Sequence, residues 1–138
     1  MKLKDFDFRI WDGRKYVNNI KGGVYIHKKD TDVKCLNRNQ DCYDYEFALD
    51  ELDNSNLEIE LFTGLYDKKD KKVYENDIVK VKSLYDYFLA KISIHKEGTF
   101  YFEGKNGDYI GSLIYLVEDE GYTIEAIGNI HENAELLK

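Results

Sequence analysis

The sequence predicts a mainly β protein, a β-rich α+β chain built from short antiparallel strands. Three observations carry that expectation. Aromatic residues are abundant, with 12 Tyr and 7 Phe, and such side chains favour pleated, half-buried surfaces over helices. Apolar and polar residues alternate with period 2 in several short runs, as at Phe6, Phe8 and Ile10 against Asp5, Asp7 and Arg9. Proline is absent, so the turns between runs rest on Gly, Asn and Asp, as in Gly22-Gly23, Asn106-Gly107-Asp108 and Glu97-Gly98.

In chain order, a first strand is expected over residues 4–11, with Trp11 leading into the turn Asp12-Gly13. A short return strand over 15–20 completes a hairpin, and Gly22-Gly23 turns the chain into a third strand at Val24, Tyr25 and Ile26. The polar run 28–32 reads as another turn, after which Val33 and Cys35 begin a fourth strand. Residues 43–52 fit both periods: Tyr43, Tyr45, Phe47 and Leu49 alternate, while Tyr45, Ala48, Leu49 and Leu52 form a helical stripe. The aromatic content and the breaker cluster at 53–56 favour the strand.

The next stretch, TGLYDKKDKKVYENDIVKV at 63–81, organises the rest of the chain. Before it, Leu57, Ile59 and Leu61 alternate with Glu58, Glu60 and Phe62, which predicts a strand with three aliphatic side chains on one face. Gly64 lets that strand kink or bulge without steric cost. Every residue from 67 to 72 is charged, which predicts a solvated loop tip. Asn76 and Asp77 mark a second bend, and Ile78 and Val79 open a strand over 78–82.

Beyond it, 87–94 and 99–103 form a predicted hairpin across the four-residue loop His95-Lys96-Glu97-Gly98. Residues 110–118 suit a strand or a short helix, and 122–128 form a last strand. Gly128 and Asn129 then lead into a tail at 132–137 with the composition of one or two helical turns, which Asn129 or Asn133 can cap. At 138 residues the chain is one domain's worth and buries about two-thirds of its unfolded surface. A subdivision falls near 53–56, separating an amino-terminal meander at 1–56 from a signature-bearing, barrel-like or sandwich unit at 57–138.

The stretch at 63–79, TGLYDKKDKKVYENDIV, resembles the signature of the YopX family, small proteins of bacteriophages and prophages, whose usual form is close to TGLKDKNGKEIYEGDIV. The ends agree: FRIWD at 8–12 resembles the family's FRAWD, and IGNIHENAELL at 127–137 its IGNIYENPELL. Lys69 and Asp70 replace an Asn-Gly pair, Asn76 stands in place of glycine and Ala134 in place of proline. Asn tolerates the left-handed backbone region, whereas losing Asn-Gly points to a loop longer than two residues. The resemblance implies a phage or prophage setting and carries no established activity with it.

The formal charge of −7 disfavours long-range attraction to nucleic acid or an anionic membrane. No apolar run approaches the ~20 residues that span a bilayer, and the start of the chain lacks a signal-peptide core, so the host bacterial cytoplasm is the expected location. Cys35 and Cys42 lack metal-ligand or redox spacing and are expected as free thiols. The acids Asp67, Asp70, Glu75 and Asp77 are interleaved with lysines and read as a solvated loop in place of a cation site. His27, His95 and His131 read as surface residues in separate turns, and neither a catalytic constellation nor a cofactor is indicated.

Two binding readings follow. Lys68, Lys69, Lys71 and Lys72, flanked by Tyr66 and Tyr74, combine phosphate-seeking charge with rings that stack on bases, which is the single-strand nucleic-acid alternative. The favoured reading is a non-enzymatic binding or self-assembly module, a homo-oligomer or a partner of a phage or host protein, with an enzyme whose site is not visible in the sequence as the remaining alternative. Its basis is the need to cover sheet edges and a surplus of aromatics at Tyr85, Tyr87, Phe88, Tyr101, Phe102 and Tyr109.

Overall fold

The computed structural model describes residues 1–17, 24–38, 49–51 and 56–138. The expected turn at Gly22-Gly23 and most of the run 43–52 lie outside them. Eleven described strands follow one another: β1 (Phe8–Trp11), β2 (Val24–Lys29), β3 (Asp32–Arg38), β4 (Leu49–Glu51), β5 (Glu58–Tyr66), β6 (Lys72–Tyr74), β7 (Asp77–Lys82), β8 (Tyr87–Ile94), β9 (Phe100–Glu103), β10 (Tyr109–Ser112) and β11 (Thr123–Asn129). They form sheets in the orders β1-β5-β6, β2-β3-β4 and β10-β9-β8-β7-β11. The protein is mainly β, its five-stranded sheet is open, and the described strands form no closed barrel.

By proximity the chain forms two compact units, one of Met1–Phe8 with Leu61–Lys138 and one of Arg9–Glu60. The start of the chain therefore sits with the signature-bearing part. Its anchor is Asp7, whose carbonyl accepts from the Phe62 N–H at 3.0 Å. The Asp7 carboxylate also accepts from Lys72 Nζ at 2.8 Å and from the Tyr74 hydroxyl at 2.6 Å.

In the larger unit, β7 contributes Val79 and Val81 to one face of the five-stranded sheet, and Ala90, Ile92 and Phe102 from β8 and β9 meet them there with no solvent exposure. Leu113 and Ile124 complete that core. The predicted hairpin pairs Ile92 with Phe102 and Ser93 with Tyr101. Its loop closes through the His95 N–H to the Thr99 carbonyl at 2.9 Å. The ambiguous run 110–118 divides: β10 ends at Ser112, and Tyr115–Asp119 wind into one wide helical turn. The tail ends in a single 3₁₀ turn, Ala134–Leu137.

In the smaller unit, β2 and β3 pair from Val24↔Asn37 to Lys29↔Asp32, so the strand runs through the polar residues read as a turn and the bend is confined to Asp30 and Thr31. A short 3₁₀ turn, Leu3–Asp5, in the other unit replaces the first half of the expected opening strand. Of the return strand, Tyr16 makes an isolated bridge to Trp11. Cys35 is buried, and burial pushes its thiol up from the ordinary value.

The alternation predicted for β5 fails at its centre, although Glu58 is exposed as expected. Glu60 has no exposure, while Ile59 is 44 % exposed. Arg9 Nε donates to Glu60 Oε1 at 2.7 Å, and the Tyr16 hydroxyl donates to the same oxygen at 2.9 Å. A buried carboxylate with an ion-pair partner and a hydroxyl donor is tolerated where an unpaired one is not, and a hydropathy pattern cannot anticipate those partners.

Candidate interaction surfaces of the signature-bearing unit

The signature forms a tight bend around Asp67. Asp67 Oδ1 accepts from the Lys69 and Lys71 N–H groups at 2.8 and 2.9 Å, and Oδ2 accepts from the Ala126 N–H at 3.0 Å. Burial pushes this carboxyl up, but the backbone donors of Lys71, Ala126 and Lys69 outweigh it and hold the group below its ordinary value. Asp70 takes the left-handed position, φ 61°, which a glycine would fill at lower cost. The loop between β5 and β6 spans residues 67–71, longer than a two-residue turn.

Asp67 is 4 % exposed, which corrects the expectation of a solvated acidic loop, while Asp77, 5 % exposed, acts as the bend residue expected of it. The sequence pattern misplaces Asp67 because a run of charges says nothing about which carboxylate turns inward toward backbone donors. Asp77 Oδ2 accepts from the Tyr74 N–H at 2.9 Å. The two carboxylates therefore serve backbone amides in two different bends, an arrangement suited to pinning the chain.

The lysines expected to face nucleic acid are mostly committed elsewhere. Lys68 and Lys69 pair with Glu125 at 3.0 and 2.9 Å, and Lys72 pairs with Asp7. Lys71 is exposed. Of the flanking rings, Tyr66 packs edge-on against Phe62 at 5.5 Å, while the Tyr74 ring tilts against Phe62 at 5.8 Å and its hydroxyl donates to Asp7. Tyr66, Tyr74 and Lys72 thus gather around Phe62, while Lys68 and Lys69 are drawn to Glu125.

The bend residues occupy defined positions. Gly64, with φ 86°, lies where β5 bulges: Phe62 faces Tyr74 and Tyr66 faces Lys72, so β5 spends two more residues than β6 over that span. Asn76, with φ 69°, donates its N–H to the Ile92 carbonyl at 2.7 Å and accepts from the Ile130 N–H at 2.9 Å. Gly128 sits at a register shift in β11, with Asn133 packed against it so closely that an added Cβ would lie 2.5 Å from Asn133 Oδ1. Asn129 Oδ1 accepts from the N–H groups of His131 and Glu132, and Asn133 Oδ1 accepts from the Asn129 N–H at 3.1 Å. Asn133 makes no side-chain cap to the tail turn.

At the opposite end of the five-stranded sheet, three rings assemble. His95 stacks on Tyr101 with centroids 4.0 Å apart and planes 20° from parallel, and Tyr109 lies 5.5 Å from Tyr101 and 5.8 Å from His95. His95 is half-buried, as is His131, whereas His27 is exposed as expected but lies within β2, paired with Lys34, and not in a turn. Linear spacing holds no signal for this stack, because the register of β8, β9 and β10 creates it. Four large apolar or aromatic side chains within residues 109–115 are exposed: Tyr109, Ile110, Ile114 and Tyr115. Of the six surplus aromatics, Phe102 and Phe88 join the core while Tyr85, Tyr87 and Tyr109 face solvent.

The two ends of the sheet differ. Along β11, the Lys68 N–H donates to the Ile124 carbonyl at 2.9 Å and Asp67 takes the Ala126 N–H, so the signature loop occupies that edge. Among the described residues, no strand pairs with the outer side of β10. A register shift between Tyr109 and Gly111 leaves Ile110 as the extra residue there. No helix among the described residues is long and apolar enough to cross a membrane.

Comparison with known proteins adds the following. The model of the YopX protein family matches residues 7–138. The crystal structure of protein yopX from Bacillus subtilis is similar with a TM-score of 0.65 and 21% identity, covering 95% of this chain and 97% of that one. Protein EF1440 from Enterococcus faecalis gives a TM-score of 0.59 and 23% identity, covering 96% and 98%. No curated protein matches.

Proposed function

The chain belongs to the YopX family, and from that premise we propose that it is a phage- or prophage-encoded, non-enzymatic assembly module whose β10 end receives a second copy of itself. The observation that carries the proposal is the contrast between the sheet's two ends. The β11 edge is held by the signature loop, whereas the β10 end exposes Tyr109 at 60% and Ile110 on the strand, and Ile114 and Tyr115 at 51% where the helical turn after it begins. Aromatic side chains are enriched at interfaces because they cover large apolar area with few rotatable bonds.

The bulge at Ile110 and the four-residue length of β10 discourage an extended backbone ladder with another strand. Contact between copies is therefore carried by side chains. The same physics applies to a phage or host protein partner, and the self-association reading makes the direct test. Light scattering coupled to size exclusion should report an oligomer at micromolar concentration, and a Tyr109→Glu/Ile114→Glu variant should be monomeric while keeping the wild-type far-UV circular dichroism spectrum. A wild-type protein that stays monomeric at tens of micromolar would overturn the proposal.

A further inference from the structure

A second surface lies on the face of the five-stranded sheet opposite the valine core. Lys80 and Lys82 alternate with the buried Val79 and Val81 on β7, so both lysines project to that face. The register sets Glu125 and Thr123 of β11 across from Lys80 and Lys82, and Tyr87 of β8 across from Lys82. With Lys68, these side chains line a groove of about 190 Å³.

The charge there is opposite to that of the whole chain. Four lysines, Lys68, Lys69, Lys80 and Lys82, meet two carboxylates, Glu125 and the Asp86 beside Tyr87, a local excess of two positive charges in a chain of net −7. Lys68 and Lys69 hold Glu125 below its ordinary value. Lys80 Nζ lies 4.4 Å from the Tyr87 ring centroid, and Lys82 has no ion-pair partner among the described residues. The nearby Asp86 carboxylate accepts from the Tyr87 N–H at 2.7 Å.

We propose that this groove binds the backbone of an extended single-stranded nucleic acid, with Lys80 and Lys82 at its phosphates and Tyr87 as a stacking platform. Two residues along a strand advance about 6.6 Å, a repeat suited to neighbouring phosphates of a stretched chain. Tyr87 is 59 % exposed with a cation against its ring, and the adjoining turn adds Tyr85 at 93%. A basic groove beside sequence-tolerant rings is the arrangement that holds single strands. An acidic peptide would satisfy the lysines and leave Tyr87 without a flat partner, which is why the nucleic acid is favoured. The surface differs from the loop suggested by the sequence, since its two defining lysines lie on β7.

The test is fluorescence anisotropy of a fluorescein-labelled oligo-dT 12-mer titrated with the full chain between 50 and 200 mM salt. Two phosphate contacts on a single strand give a log–log salt slope of about −1.4, so affinity should fall about 7-fold over that range. In Lys80→Gln/Lys82→Gln the slope should fall to near zero, and Tyr87→Leu should weaken binding without changing the slope. Thermal melts confirm that each variant is folded, and Tyr109→Glu/Ile114→Glu should bind like the wild type, which separates this site from the assembly surface. Absence of binding at 50 mM salt, a slope unaffected by losing both lysines, or equal affinity for polyglutamate would each overturn the proposal.

Discussion

Asp67 Oδ2 accepts a hydrogen bond from the backbone N–H of Ala126 at 3.0 Å, joining residues 59 apart in sequence. The other oxygen of the same carboxylate takes two N–H groups of its own loop. One side chain thereby shapes the signature bend and fastens it to β11. Asp67→Ala leaves three backbone donors without their acceptor. Leaving a buried donor unsatisfied costs about 1–3 kcal/mol, and urea denaturation should show a loss within or above that range. Hydrogen exchange at Ala126 should accelerate in the variant, which distinguishes release of the loop from general weakening.

Acid should expose the same interaction. The folded-state pKa of Asp67 lies below its ordinary value of 3.8, so the folded state releases this proton more readily than the unfolded chain. Its contribution to stability is complete above about pH 3.8 and is lost as pH falls through the lower folded-state value. The stability gap between wild type and Asp67→Asn should narrow over that window. A gap that stayed constant would show that charge on Asp67 is irrelevant to its role.

Two glycines separate backbone strain from crowding. Gly64 has φ 86° with nothing within 4 Å of an added Cβ, so Gly64→Ala should cost about 1–2 kcal/mol from left-handed geometry, and Gly64→Asn less. At Gly128 an added Cβ would meet Asn133 Oδ1 at 2.5 Å. Gly128→Ala must displace Asn133 and its bond to the Asn129 N–H, and a cost of about 1–3 kcal/mol is expected from overpacking. Thermal melts of the Gly128→Ala and Gly128→Ala/Asn133→Ala pair should show partial rescue in the double variant.

Asp77→Ala removes the acceptor for the Tyr74 N–H at a site that is 5 % exposed. Lower stability by about 1–3 kcal/mol is expected, with oligomeric state unchanged once the protein is folded. Intact melting together with altered association would instead place Asp77 in the interface.

Much of the scaffold is readable in the residues. The hairpin of β8 and β9 is written in period-2 alternation on either side of Gly98, and β7 in Ile78, Val79 and Val81. The β5 bulge has its local reason in Gly64, which tolerates positive φ. Other features leave no linear trace. Glu60 and Ile59 exchange their expected environments because Arg9 and Tyr16 supply partners from about 50 positions away. Lys68, Lys69 and Lys72 read as a free basic run until Glu125 and Asp7 are brought beside them.

By itself, then, the sequence determined the mainly β character, the family and the positions of the principal bends, because periodicity and backbone tolerance are properties of neighbouring residues. Tertiary structure decided which acids are buried, which lysines are neutralised and which rings stack. Those outcomes depend on sheet register, which sets distant side chains opposite one another at distances where charge and hydrogen bonding act.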